Sequence, residues 1–96
     1  MREFIVEITT TIPDGTSQSE VDERRAAEAV RAKELTASGN LARLWRSIGE
    51  TRSIGLWLAD DEDDLHTNVL GTLPLRPWMT ITVTAVQPHP NDPGRS

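Results

Sequence analysis

From Phe4 to Thr10, apolar Phe4, Val6 and Ile8 alternate with Ile5, Glu7 and Thr9. That period of two predicts a strand with one apolar face and one mixed face. Pro13-Asp14-Gly15 supplies the turn chemistry that stops it. Ser17 with Glu20, or Ser19 with Asp22, offers a capping box. Ser19 to Ser38 is rich in Ala, Glu and Arg and free of Pro and Gly, which predicts a helix of roughly five turns. Gly39 stands where a helix-ending residue with positive φ belongs. Short strands follow at Ala42 to Ile48 and Ser53 to Ala59, with Gly49-Glu50-Thr51-Arg52 as the hairpin connection. The acid run Asp60 to Asp64 opens a second short helix at its positive end, and Gly71 closes it. Leu73-Pro74-Leu75-Arg76-Pro77 is an extended approach to the last strand, where Met79, Ile81, Val83 and Ala85 alternate with Thr80, Thr82 and Thr84.

The resulting order is βαββαβ. With right-handed crossovers it predicts an α+β, ferredoxin-like fold: a four-stranded antiparallel sheet carrying both helices on one face. The domain is expected over 1–87, with 88–96 as a Pro-rich tail that cannot enter a sheet. The sheet's other face is left bare. Alternation offers it Ile5, Trp45 or Arg46, Trp57, and Thr80, Thr82 and Thr84. A bare face of indoles and methyls predicts a second subunit or a ligand.

Composition narrows the classes. The 96 residues suffice for one domain with one core, and 36% hydrophobic against 26% charged residues suits a globular chain. Fifteen acids against ten bases give a net charge of −5, which disfavours a nucleic-acid partner. The absence of cysteine excludes thiolate catalysis, disulfides and cysteine-bound metal. No apolar run is long enough for a membrane span, and Met1 to Phe4 leads directly into the first strand, so no leader is expected and the cytoplasm is the expected location. A core this small makes a homo-oligomer the expectation.

Few residues can carry chemistry. Glu28 falls in one narrow sector of the long helix with Val21, Ala32 and Leu35, where desolvation raises a carboxyl pKa toward that of a useful base. Ala26, Val30 and Ala37 form a rival stripe, and periodicity alone favours an ion pair of Glu28 with Arg24 or Arg31. In "NLARLWRSIG", Arg43 and Trp45 share one side of the strand, and Leu44, Arg46 and Ile48 the other. An arginine between Leu44 and Ile48 either meets a carboxylate, from Glu28, another subunit or a ligand, or snorkels from an edge strand. His66 on the second helix reads as a surface histidine, and His89 as a cap over a pocket or a free tail residue. The acid run lacks the glycine and ligand alternation of a calcium loop, and no phosphate loop, metal-spaced histidine pair or nucleophile motif occurs, so neither metal nor cofactor is expected.

Four stretches taken together, "AAEAVRAKELTASG", "LARLWRSIGETRSIGLW", "DLH" and "LPLRPWMTITVTAVQPHP", resemble the muconolactone Δ-isomerase family from Phe4 to Pro90. The most specific parts are "LWR" followed by Gly49, "LPL-PWM" and the closing "HP". The resemblance implies ferredoxin-like subunits that assemble through their sheets into dimers or larger rings, with active sites at subunit contacts. It implies a cofactor-free allylic proton shift in an unsaturated lactone acid of the β-ketoadipate pathway of aromatic catabolism. Glu28 matches the family's helix glutamate, Trp45 and Arg46 its "LWR", and His66 and His89 its histidines. The chain departs from the family pattern at Ala29, where a lysine is common, at Arg43, where a histidine is common, and at Arg76 and Trp78, where an aromatic pair flanks "LP". "VLGTLP" is also one residue longer than usual.

The expectation is therefore an isomerase in which Glu28 is the base and Arg46 the catalytic cation. Arg43, Trp45, Trp57, Trp78, His66 and His89 are expected around a small anionic lactone. Two alternatives stand beside it: a non-catalytic dimeric module that binds small molecules, favoured by the missing lysine, and a lyase that eliminates chloride from chlorinated lactones. An RNA-recognition domain shares the topology but expects a basic third strand with two or three aromatics, whereas "SIGLWLA" has one tryptophan and no base.

Overall fold

The computed structural model describes residues 1–94. Strand β1 (Arg2–Thr10) leads to helix α1 (Gln18–Ala37), then to strands β2 (Leu41–Arg46) and β3 (Arg52–Ala59). A helical segment over 62–72 and a 3₁₀ turn, Arg76–Trp78, precede β4 (Met79–Val86). The sheet order is β2-β3-β1-β4 with every pair antiparallel, which is the ferredoxin-like arrangement the pattern predicted. Residues 87–94 carry no helix or strand; 95–96, the end of the expected tail, lie outside the described residues.

Local chemistry fixes these bounds. Ser17 Oγ accepts from the Glu20 N–H at 3.1 Å, so the first of the two candidate caps starts α1. Gly39 ends it at φ +85°, a conformation costly for any residue with a Cβ. Asp61 Oδ1 accepts from the Asp64 N–H at 2.7 Å, so the acid run does begin the second helix. That segment then widens. Glu62–Asp64 is α-helical, Leu65–Val69 is a π turn and Leu70–Thr72 is 3₁₀. The Leu70 N–H reaches the carbonyls of both Leu65 and His66, and an i→i+5 turn absorbs one residue more than an α turn. The segment still turns Leu65, Val69 and Leu70 into the core. Among the described residues no helix is long and apolar enough to cross a membrane.

The core lies between the helices and one sheet face. Phe4, Val6 and Ile8 of β1 meet Trp57 and Ala59 of β3, and Leu35, Leu41, Leu65, Val69, Leu70 and Leu73 close over them. Trp57 pairs with Phe4 across the sheet and is 2% exposed. The expectation that it lies on the bare face is thus corrected. Ser53 to Ala59 is apolar on both sides, and the face that turns inward is the one holding Gly55, Trp57 and Ala59. The outer face instead carries Ile5, Ile54, Leu56 and the β4 threonines, with Glu7 and Arg52 joined at 3.1 Å.

Strand β2 is an edge strand with a bulge. Leu41 pairs with Trp57 but Arg43 pairs with Leu56, so Ala42 has no opposite number. The extra residue reverses the phase. Leu41 points into the core, Arg43 and Trp45 join the open face, and Leu44 and Arg46 turn toward the helices. Strand β2 ends at Arg46, so Ile48 is not a strand residue but a hairpin-tip residue, wholly exposed. Leu44 is exposed too, and Arg46, itself exposed, need not be buried between them.

Candidate functional site

Helix α1 grips the 72–75 connection with three side chains one turn apart. Arg24 Nη1 donates to the Pro74 carbonyl at 3.0 Å, and Arg31 Nε to Thr72 Oγ1 at 3.0 Å. Between them the Glu28 carboxylate accepts from the Leu75 N–H at 3.0 Å. Both arginines are thus engaged with the connection, and their ion pairs run to Glu20 and Glu34. The expected ion pair of Glu28 with Arg24 or Arg31 does not form. Among the described residues Glu28 has no cationic partner.

This isolation has an electrostatic result. Glu28 is half-buried, and desolvation pushes its carboxyl above the ordinary glutamate value of 4.5. The Leu75 N–H stabilises the charged form and offsets part of that rise. A carboxyl so placed holds a proton near neutral pH more readily than a surface glutamate, as a group that must both take and return a proton needs to.

Leu75 also forms part of the wall of a cavity of about 640 Å³. The floor is the sheet rung of Ile8, Ser53 and Arg46, and Arg25 of α1 and Arg52 stand at its sides. Arg52 is neutralised by Glu7 at 3.1 Å and Glu50 at 3.2 Å. Arg25 and Arg46 have no ion pair among the described residues. Two unneutralised guanidiniums on an otherwise half-apolar wall suit a small organic anion. A second concavity of about 740 Å³, lined by residues 46–51 alone, is the open inner side of the hairpin loop.

The expected site residues separate into groups. Arg46 lines the cavity, and Glu28 is one hydrogen bond behind its wall. Arg43 stacks on Trp45 at 5.0 Å on the open sheet face, away from that wall. Trp78 lies under Arg24 at 4.6 Å. His66 faces Glu62 at 3.6 Å on the outside of its helix, and His89 accepts from the Asn91 N–H in the exposed tail. Trp57 is in the core. Sequence reasoning missed Arg25, which carries no pattern beyond helical spacing, and the backbone N–H of Leu75, which has no side-chain signature. Among the described residues no three His, Asp or Glu side chains group so as to hold a metal ion.

The family model described as muconolactone delta-isomerase matches residues 2–92. The chain belongs to the muconolactone delta-isomerase family. It is 31% identical over 88 residues to the Muconolactone Delta-isomerase of Cupriavidus pinatubonensis, covering 92% of this chain and 95% of that one. Its identity to the Muconolactone Delta-isomerase of Rhodococcus opacus is 32% over 89 residues, with 93% and 95% covered. The crystal structure of a muconolactone isomerase superposes with a TM-score of 0.86 at 26% identity, covering 98% of this chain and 97% of that one. Family membership therefore rests on the whole domain and not on one motif.

Proposed function

We propose that the protein is a cofactor-independent isomerase that moves a proton, and with it a carbon–carbon double bond, in a muconolactone-type lactone acid of aromatic catabolism. The observation that carries this reading is Glu28: a half-buried carboxyl with a raised pKa and no cation beside it, joined to the wall of a cavity lined by Arg25 and Arg46. In the reaction, the Glu28 carboxylate takes a proton from a ring carbon next to the alkene. The C–H electron pair shifts into the ring, and charge gathers on the lactone carbonyl oxygen as a dienolate. The same proton, or one exchanged with solvent, returns from Glu28 to the carbon two positions away, and the carboxylate is regenerated. Arg46, with Arg25, holds the side-chain carboxylate of the substrate.

The open sheet face carries Trp45, which is 44% exposed, together with Ile54 and Leu56, and it is the surface through which subunits would pair. Arg43, Trp45, Trp78, His66 and His89 lie off the cavity wall, so any contact of theirs with a substrate runs across such a subunit contact. The alternative, a binding module without catalysis, is favoured by one observation: Glu28 already braces Leu75. The relatives' names favour the proton shift over the chloride-eliminating lyase.

The two readings part in heavy water. An isomerase moves the double bond of muconolactone, visible by proton NMR, and any proton exchanged on Glu28 appears as solvent deuterium at the carbon that gains hydrogen. Saturable binding with neither migration of the double bond nor exchange would leave only the module. Arg46→Met is expected to raise KM by roughly 10- to 100-fold, the loss of a charge-assisted hydrogen bond to the substrate. Its melting temperature should hardly move, since Arg46 is exposed and has no ion pair among the described residues. An unaltered KM would take Arg46 out of the site.

A further inference from the structure

A single peptide group stands between two side chains of α1. The Pro74 carbonyl accepts from Arg24 Nη1 at 3.0 Å, and the Leu75 N–H, at the other end of the same peptide plane, donates to Glu28 Oε1 at 3.0 Å. A trans peptide points its oxygen and its hydrogen to opposite sides. Side chains four residues apart on a helix stand about 5–6 Å from one another, a gap that one peptide can bridge. Arg24 therefore meets the negative end of the peptide dipole and Glu28 the positive end. A hydrogen bond at the carbonyl polarises the peptide and strengthens its N–H as a donor. The charge of Arg24 reaches Glu28 by this route, although the two side chains form no ion pair among the described residues.

Both ends of the bridge are held. Arg24 Nη2 lies 3.5 Å from Glu20 Oε1, and the face of its guanidinium covers the Trp78 ring at 4.6 Å. A planar fork can serve a carbonyl, a carboxylate and an aromatic face at once, which an ammonium cannot. On the other side, the Trp78 N–H donates to the Leu75 carbonyl at 2.9 Å and the Arg76 N–H to the Leu73 carbonyl at 2.9 Å. The remaining charged groups near Glu28 are otherwise engaged or stand further off. Arg31 serves Thr72 and Glu34, Arg76 donates to the Met79 carbonyl at 3.3 Å, and Arg25, Arg46, Glu50 and Arg52 line the cavity beyond Leu75.

We propose that Arg24 is a positioning residue for the proton shift, holding the Glu28 carboxyl at the cavity wall and favouring its charged form through the Pro74–Leu75 peptide. The assignment deepens the isomerase reading and rests on it. Desolvation alone would leave Glu28 holding its proton too firmly to start the reaction. A guanidinium paired directly with the carboxylate would correct this but would occupy the oxygens that must take the proton. The relayed charge engages Oε1 through one N–H and leaves Oε2 without a partner among the described residues.

The test compares the native chain with Arg24→Met, Arg24→Lys and Arg31→Met, using muconolactone as substrate and following the Leu75 amide by NMR as pH is raised. In the native chain that amide should shift downfield as Glu28 ionises, and it is identified by losing this titration in Glu28→Gln. Arg24→Met should move the midpoint of the titration, and that of the kcat profile, to higher pH. A base held less well should also lower the plateau kcat by about 10- to 100-fold, with KM changed by less than about threefold. Arg24→Lys keeps a cation opposite the Pro74 carbonyl and should bring the midpoint and part of kcat back. Arg31→Met removes the cation on the other side of Glu28 but leaves the peptide alone, so its midpoint should stay near native. A native midpoint in Arg24→Met, or an equal shift in Arg31→Met, would overturn the assignment. If Arg24→Met does not fold, the native chain decides: the Arg24 guanidinium nitrogens should titrate through the Glu28 midpoint more strongly than those of Arg31, and an equal or weaker response would overturn it. If the native chain does not turn over muconolactone, the isomerase reading fails and the role of Arg24 in it fails too. Native turnover with an indifferent Arg24→Met removes the assignment alone.

Discussion

Replacing Glu28 by Gln is expected to lower kcat by about 100- to 10,000-fold, the usual contribution of a positioned general base. The fold should survive the change. A glutamine carbonyl oxygen can still accept from the Leu75 N–H, so the brace between α1 and the 72–75 connection persists while the proton carrier is gone. Glu28→Ala removes both, and should lose stability as well as turnover because a partly buried N–H is left without its acceptor. Comparing the two variants separates chemistry from structure. Equal turnover in Glu28→Gln and the native chain would leave Glu28 as a brace only. The direction of the pKa shift adds a second readout. The folded protein holds the Glu28 proton more tightly than the unfolded chain does. The associated stability is present below the ordinary glutamate pKa of 4.5 and is lost as pH rises through the higher folded value. The melting temperature of Glu28→Gln relative to the native chain should therefore be higher at about pH 7 than at about pH 4. Turnover by the native chain should rise with pH to a midpoint above 4.5.

The largest effect on stability is expected at Phe4. It is buried in the central strand β1, between Trp57 of β3 and Ala85 of β4, and is among the largest fully enclosed side chains. Phe4→Ala should cost about 3–5 kcal/mol, combining lost transfer energy with the cavity left behind. Against the roughly 5–15 kcal/mol of net stability typical of such a domain, that is a large share. Chemical denaturation would measure it as a lower midpoint with little change in slope. A loss below about 1 kcal/mol would mean that the neighbours close over the gap, and that Trp57 is not held from beneath by this ring.

Where periodicity and burial reinforce each other, the fold was legible in the chain. The alternation of Phe4, Val6 and Ile8 and that of the β4 threonines each named an inner and an outer face, and Ser17 and Gly39 marked the ends of α1. The reading weakened where both faces of a strand are apolar. Ile54, Leu56 and Leu58 on one side of β3 match Gly55, Trp57 and Ala59 on the other, so hydrophobicity could not tell which side receives the helices. It weakened again in β2, whose residues from Ala42 to Arg46 are all exposed and so carry no burial pattern to reveal a skipped partner. The site was half legible. Glu28 stood out as a carboxylate among apolar neighbours, but its partner proved to be a backbone N–H 47 positions away, which no side-chain pattern announces. Arg46 was singled out by family resemblance, whereas Arg25 joins it only through packing.

The unmatched Ala42 is a spare position in β2. Leu41 and Arg46 stand an odd number of residues apart, which in plain alternation would send them to opposite sides, and the spare residue is what lets both turn toward the helices. Excising it would leave simple pairing, with Leu41 and Arg46 still inward and Trp45 still outward. One codon can thus be lost here while the guanidinium keeps its post.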